Sequence, residues 1–229
     1  MYGNSLLDKL ERKMGRYALR NLMTIIVAVT AAVWLLEMFV YGRTGVSIYY
    51  WLYFDKELIL QGQVWRVITF VFIAEEYNIL YLALSLYFYW LIGNSLENEW
   101  GSFRFDIFYL CGVLGAVASG FITGYATNYY LNLSLFLAFA ILYPDFRVLV
   151  FYILPIKVKW LAIVDLALLV ILAIFSTWIE RIALIVALLN IALFFWRIPF
   201  DKLRARHRRK KWQKADKRPK NNDDYPFDL

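Results

Sequence analysis

The chain has one cysteine and one histidine in 229 residues. The single thiol, Cys111, lies inside an apolar run. It excludes an internal disulfide framework and a cysteine-built metal site, and reads there as a small apolar residue. The histidine, His207, sits in a basic tail outside every apolar run, so no imidazole is available at membrane depth. Charge is sparse, at 19 % of residues, and absent from long stretches, whereas 62 % of residues are apolar. The apolar residues come in blocks of about 20 rather than at the spacing of amphipathic helices, which marks an integral membrane protein. The length leaves room for one bundle and no second sizeable domain. The first apolar run is too long for a signal core and has no small-residue cleavage site, so it reads as a spanning helix. A formal net charge of +7 would suggest nucleic acid in a soluble protein. Here it flanks the apolar runs, so anionic lipid is the partner it implies, and no nucleic acid is expected.

Taken in order, residues 1–20 interleave Lys9, Arg12, Lys13, Arg16 and Arg20 with Leu6, Leu7, Leu10, Met14 and Tyr17. That pattern predicts a short cytosolic helix on an anionic surface. Spans are expected at Asn21–Tyr41, Tyr77–Ile92, Phe103–Gly124, Tyr129–Tyr143, Val158–Phe175 and Trp178–Trp196, giving a membrane domain over 21–197. The one acid of the first span, Glu37, is near its far end, within reach of the headgroups. Between the first two spans, residues 42–76 are too apolar for a solvated linker and too broken to span, which predicts an interfacial loop. The fourth span is short, as suits a helix buried among others. Residues 198–229 form a tail too basic to fold alone, and one that should lie on anionic lipid. With six spans, twenty-one Lys and Arg fall on one side and four on the other. That places both termini in the cytosol, at the plasma membrane or a bacterial inner membrane.

Within the third span, Gly112, Ala116, Gly120 and Gly124 recur every fourth residue. This small-residue ridge predicts a central helix that lets a neighbouring backbone approach closely. The elbow before it carries Gly93, Leu96, Glu97, Trp100, Gly101, Arg104, Phe105 and Tyr109, which resembles the connection between the second and third helices of the rhomboid superfamily. Upstream, Gly62, Val64, Trp65, Arg66, Thr69 and Phe70 are similar to that family's Trp-Arg motif in the first loop. Downstream, the run from Leu142-Tyr143-Pro144 to Trp160 resembles its link between the fourth and fifth helices. The matches fall in family order over roughly residues 58–162. The resemblance implies an all-α, six-helix rhomboid-like bundle. Glu97 with Arg104, and Trp65 with Arg66, are expected to brace the elbow and the loop.

Active rhomboids cut substrates inside the membrane with a serine at the start of the fourth helix and a histidine in the sixth. A His and an Asn on the second helix help hold the oxyanion. A serine hydroxyl needs a base within hydrogen-bond reach, and the oxyanion needs donors already aimed at it. By alignment the nucleophile position falls on Tyr129, the base on Leu184, and the oxyanion positions on Tyr81 and Ser85. Ser119 in Ala118-Ser119-Gly120 mimics a Ser-Gly motif, but reads as a packing serine bonded to its own helix. Lys157 and Lys159 flank the fifth span and snorkel rather than forming a Ser-Lys dyad. A metal site lacks a His pair and clustered carboxylates, and no cofactor is expected.

Few polar groups remain at depth. Asp165, in the fifth span, should face a partner or be protonated, and Asn190, Asn132 and Ser134 are the candidates. The expectation is therefore an inactive, pseudoprotease-type relative of the rhomboids that binds transmembrane client proteins. The alternative is an intramembrane serine endopeptidase with non-standard residues. A transporter would need a continuous polar path or inverted repeats, and neither is seen.

Overall fold

A computed structural model describes residues 11–74, 76–150, 154–175 and 181. After a 3-10 turn at Gly15–Tyr17, helix α1 runs Leu22–Thr44. The first loop is built from three short helices, α2 (Tyr49–Leu52), α3 (Lys56–Leu60) and α4 (Arg66–Thr69), and a 3-10 turn at Phe70–Phe72. Helix α5 (Ile79–Trp100) and helix α6 (Ser102–Thr123) follow, then α7 (Tyr129–Leu142). An antiparallel hairpin, β1 (Arg147–Val150) with β2 (Leu154–Lys157), leads into α8 (Val158–Phe175). Apart from Arg181, the expected sixth span, Trp178–Trp196, and the basic tail lie outside the described residues.

Among the described residues, three helical stretches, Glu11–Thr44, Ile79–Trp100 and Ser102–Thr123, are long and apolar enough to cross a membrane. At 1.5 Å per residue, α5 and α6 each extend about 33 Å, enough for a hydrocarbon core of about 30 Å. The 14 residues of α7 reach only about 21 Å. Its buried positions, Leu131, Leu133 to Leu135 and Leu137 to Ala140, wrap around the helix, because α5, α6 and α8 all pack on it. Among the described helices α7 is therefore the most enclosed, as its short length implied, and more so than the small-residue helix α6.

Two elements differ from their expected bounds. Helix α5 does not end at Ile92 but continues to Trp100, so the polar elbow shrinks to Gly101. Asn94, Ser95, Glu97 and Glu99 are good enough helix residues to extend an apolar helix past its membrane stretch. Gly101 then turns the chain at φ +83° and ψ 153°, a region essentially restricted to glycine, and its N–H bonds the Glu97 carbonyl at 2.8 Å. The second difference is the hairpin in the Pro144–Trp160 link. Val158 N donates to the Phe146 carbonyl at 2.8 Å, and Phe146 packs edge-on against Phe139 of α7.

The small-residue ridge is used differently as well. A Cβ at Gly120 would fall 2.7 Å from the ring of Phe54 and 2.9 Å from Ala126, so at Gly120 the ridge receives a loop aromatic rather than a helix backbone. Gly124 is the left-handed C-cap of α6 (φ +97°). Close helix approach occurs instead at Gly93, where a Cβ would overlap the side chain of Met23 on α1.

Candidate functional site

Alternation of α5, α6 and α7 divides the bundle into two ends. The starts of α5 and α7 share one end with the first loop, and the Gly101 elbow, residues 11–21 and the hairpin occupy the other. Each end is held by buried polar side chains satisfying backbone groups.

At the loop end, Arg66 is fully buried. Its Nη1 donates to the carbonyls of Tyr50 and Tyr53, both at 2.9 Å, its Nε donates to Gln63 Oε1 at 2.7 Å, and the guanidinium lies over the Tyr53 ring. A planar five-donor fork suits this role, since it can close several loop carbonyls at once. Trp65 Nε1 donates to Trp51 O at 3.1 Å and Thr69 Oγ1 to Leu52 O at 2.8 Å. The loop is stitched to the helices at three further places. Lys56 N donates to Gly124 O (3.1 Å), Asn128 Nδ2 to Val71 O (3.1 Å) and Ile73 O (2.8 Å), and Trp34 Nε1 to Glu76 O (2.7 Å). Phe54, 1 % exposed, fills the space between with edge-on contacts to Phe70 and Phe121.

Glu37 does not reach out to headgroups as expected. It is buried and its Oε2 accepts from Ile48 N at 2.7 Å, because the loop's own amides offer it donors in a dry place. Burial, and next the charge of Glu37, push the Tyr49 phenol up to about 12, an effect the Ala74 amide offsets only in part.

The positions aligned with the rhomboid machinery lie at this same end. Tyr81 and Ser85 are one turn apart at the start of α5, and Tyr129 is the first residue of α7. Tyr81 and Tyr129 are 62 % and 47 % exposed, so neither phenol is enclosed. Leu184 and Asn190 lie outside the described residues. A cavity of about 400 Å³ opens between α3 and the end of α6; of its two carboxylates, Asp55 is engaged in accepting from Glu57 N and Leu58 N, and Glu57 is exposed. Among the described residues no group of three His, Cys, Asp or Glu could hold a metal.

Ser119 is buried, yet its hydroxyl is not bonded to its own helix as expected and has no hydrogen-bond partner among the described residues. Ser134 instead bonds its own helix at Leu131 O (2.7 Å) and is not a partner for Asp165. Asp165 and Asn132 are half-buried, and neither side chain makes a hydrogen bond among the described residues. Cys111 is half-buried, not enclosed.

At the elbow end, Glu97 is 8 % exposed and its Oε1 accepts from Asn21 N (2.9 Å) and Ser102 Oγ (2.6 Å). Asp106 Oδ2 accepts from Leu19 N at 2.7 Å. Arg104 pairs with Glu11 at 2.9 Å, and Trp100 packs edge-on against Phe108. The chain before α1 is thus held by its backbone, with Asn21 in a left-handed conformation at φ 58°. Sequence reasoning missed Asp106, Asn21 and Asn128. An acid one turn into an apolar helix was the available signal for Asp106, and an Asn immediately before an apolar run was the signal for Asn128.

A family model described as "Eukaryotic integral membrane protein (DUF1751)" matches residues 20–197. No curated protein matches the chain.

Proposed function

We propose a function from one premise, that the chain belongs to the eukaryotic integral membrane protein family DUF1751, a rhomboid-like family in general terms. The reading is a six-helix rhomboid-like bundle that binds transmembrane segments of other proteins and does not hydrolyse them. Both termini are cytosolic by the distribution of Lys and Arg, and the basic tail rests on anionic lipid. The description of the family as eukaryotic favours a eukaryotic membrane over a bacterial inner one.

One observation carries the non-hydrolytic half. The chain's only histidine is His207, and the α5 and α7 positions where rhomboid machinery would sit hold Tyr81, Ser85 and Tyr129. A hydroxyl without a base is a poor nucleophile, and an exposed phenol offers no preorganised oxyanion donor. Client binding is supported by the exposed flank of α5, where Ile79, Leu80, Leu84 and Tyr87 stand between 46 % and 72 % exposed. Such a flank, beside a helix too short for the full hydrocarbon thickness, suits a partner helix in a locally thinned bilayer.

The test is photo-crosslinking in native membranes from Leu84 of α5 and Leu168 of α8. Discrete protein adducts are expected; recovery of lipid adducts alone would contradict client binding. Labelling by a fluorophosphonate that disappears with Ser85→Ala, Ser119→Ala or Ser134→Ala would revive the endopeptidase.

A further inference from the structure

The segment just before α1 combines three features that residue spacing alone does not bring together. Its apolar side chains are out in the open, with Met14, Tyr17 and Leu19 at 48 %, 66 % and 54 % exposure. Its basic side chains Lys13, Arg16 and Arg20 are exposed beside them, and the Arg16 guanidinium lies 4.9 Å over the Tyr17 ring while donating to its hydroxyl. Yet its backbone is not loose, because the amides of Leu19 and Asn21 are taken by Asp106 and Glu97. A segment tethered two residues before a spanning helix lies at headgroup depth by connectivity alone. There, aromatic and aliphatic side chains gain from the acyl boundary, and ammonium and guanidinium groups gain from lipid phosphates.

We propose that residues 13–20 form a lip that binds the headgroups of anionic phospholipid, held on the bundle by Glu97 and Asp106. Charge complementarity selects the occupant, since exposed apolar surface alone would accept any lipid and the three cations favour an anionic one. The two carboxylates are positioning residues. They accept backbone N–H groups rather than side-chain cations, so the lip keeps its charge for the lipid while its base stays fixed. A freely jointed basic stretch would bind the same lipids without that geometry.

The experiment uses the full chain in nanodiscs, with an environment-sensitive fluorophore attached through Met14→Cys in a Cys111→Ala background. Both leaflets of a nanodisc have one composition, so the outcome is independent of orientation and of client binding. With phosphatidylserine present, the emission should shift to the blue and resist an aqueous quencher; with phosphatidylcholine alone, both effects should shrink, and added salt should weaken the first case. Each of Lys13→Gln, Arg16→Gln and Arg20→Gln should lower the docked-to-free ratio about fivefold. Equal emission in the two compositions would overturn headgroup binding. Glu97→Met with Asp106→Leu removes both acceptors and should loosen the lip with its own charge unchanged, and unaltered quenching would overturn the holding role. Should that pair fail to fold, hydrogen exchange of the wild-type Leu19 and Asn21 amides decides the same point. Slow exchange in both lipid compositions is expected, and fast exchange contradicts the clasp.

Discussion

At Gly93 the absence of a single side chain sets the distance between α1 and α5, because Met23 occupies the place a Cβ would need. Gly93→Ala should cost about 1–3 kcal/mol through overpacking, and Met23→Ala should recover part of that loss. Thermal stability of the single and double variants in detergent measures it, and additive effects would argue against direct contact. Arg66 works by the opposite means, a long side chain ending in donors where loop carbonyls have no water. Arg66→Ala strands the Tyr50 and Tyr53 carbonyls and should cost about 1–3 kcal/mol for each buried group left unpaired. Arg66→Lys should recover little, since one ammonium cannot reproduce the fork. Tyr49 makes a prediction in pH. Below 10 the phenol is neutral whether the chain is folded or not, and contributes no pH dependence. Between 10 and about 12 the unfolded chain ionises first, so the folded protein holds the extra proton and stability falls as pH rises. Tyr49→Phe should flatten that fall in alkaline melts, and an unchanged slope would contradict the burial-driven shift.

Among the elements, the long apolar helices were the most legible. The runs near Asn21–Tyr41, Phe103–Gly124, Tyr129–Tyr143 and Val158–Phe175 became helices displaced by three residues or fewer at each end. Uninterrupted hydrophobicity over such lengths has few other solutions in lipid. The elbow is harder to place, because its polarity suggests a break although Asn94 to Glu99 contain no residue that stops a helix. The first loop showed only its composition, because helices of four or five residues leave no period to read. Its organisation depends on Arg66, Asn128 and Glu37 reaching backbone groups 11 to 57 residues away, which no local pattern encodes. The hairpin was hidden because Arg147–Lys157 continues the apolar character of the flanking helices. Gly101 supplies the test at this scale. Its backbone region is almost closed to other residues, so Gly101→Ala should cost about 1–3 kcal/mol and disorder the α5–α6 turn, read as faster hydrogen exchange around Glu97 and Ser102. Wild-type exchange rates there would contradict the strained turn.

As a whole molecule, the chain is a membrane bundle in which several polar side chains among the described residues hold backbone at its two ends. Arg66, Asn128 and Glu37 close the loop end, and Glu97 and Asp106 close the elbow end; the carboxylate that receives the Ser102 hydroxyl, Glu97, sits at that elbow end, away from Tyr81, Ser85 and Tyr129. What such a scaffold can do for a second transmembrane helix is receive it, which is the function proposed. The most direct measurement reconstitutes the purified full chain in liposomes with a reporter transmembrane helix and follows both association and cleavage. Association without any cut product is the predicted result. A cut product that vanishes with one serine-to-alanine substitution would contradict the account.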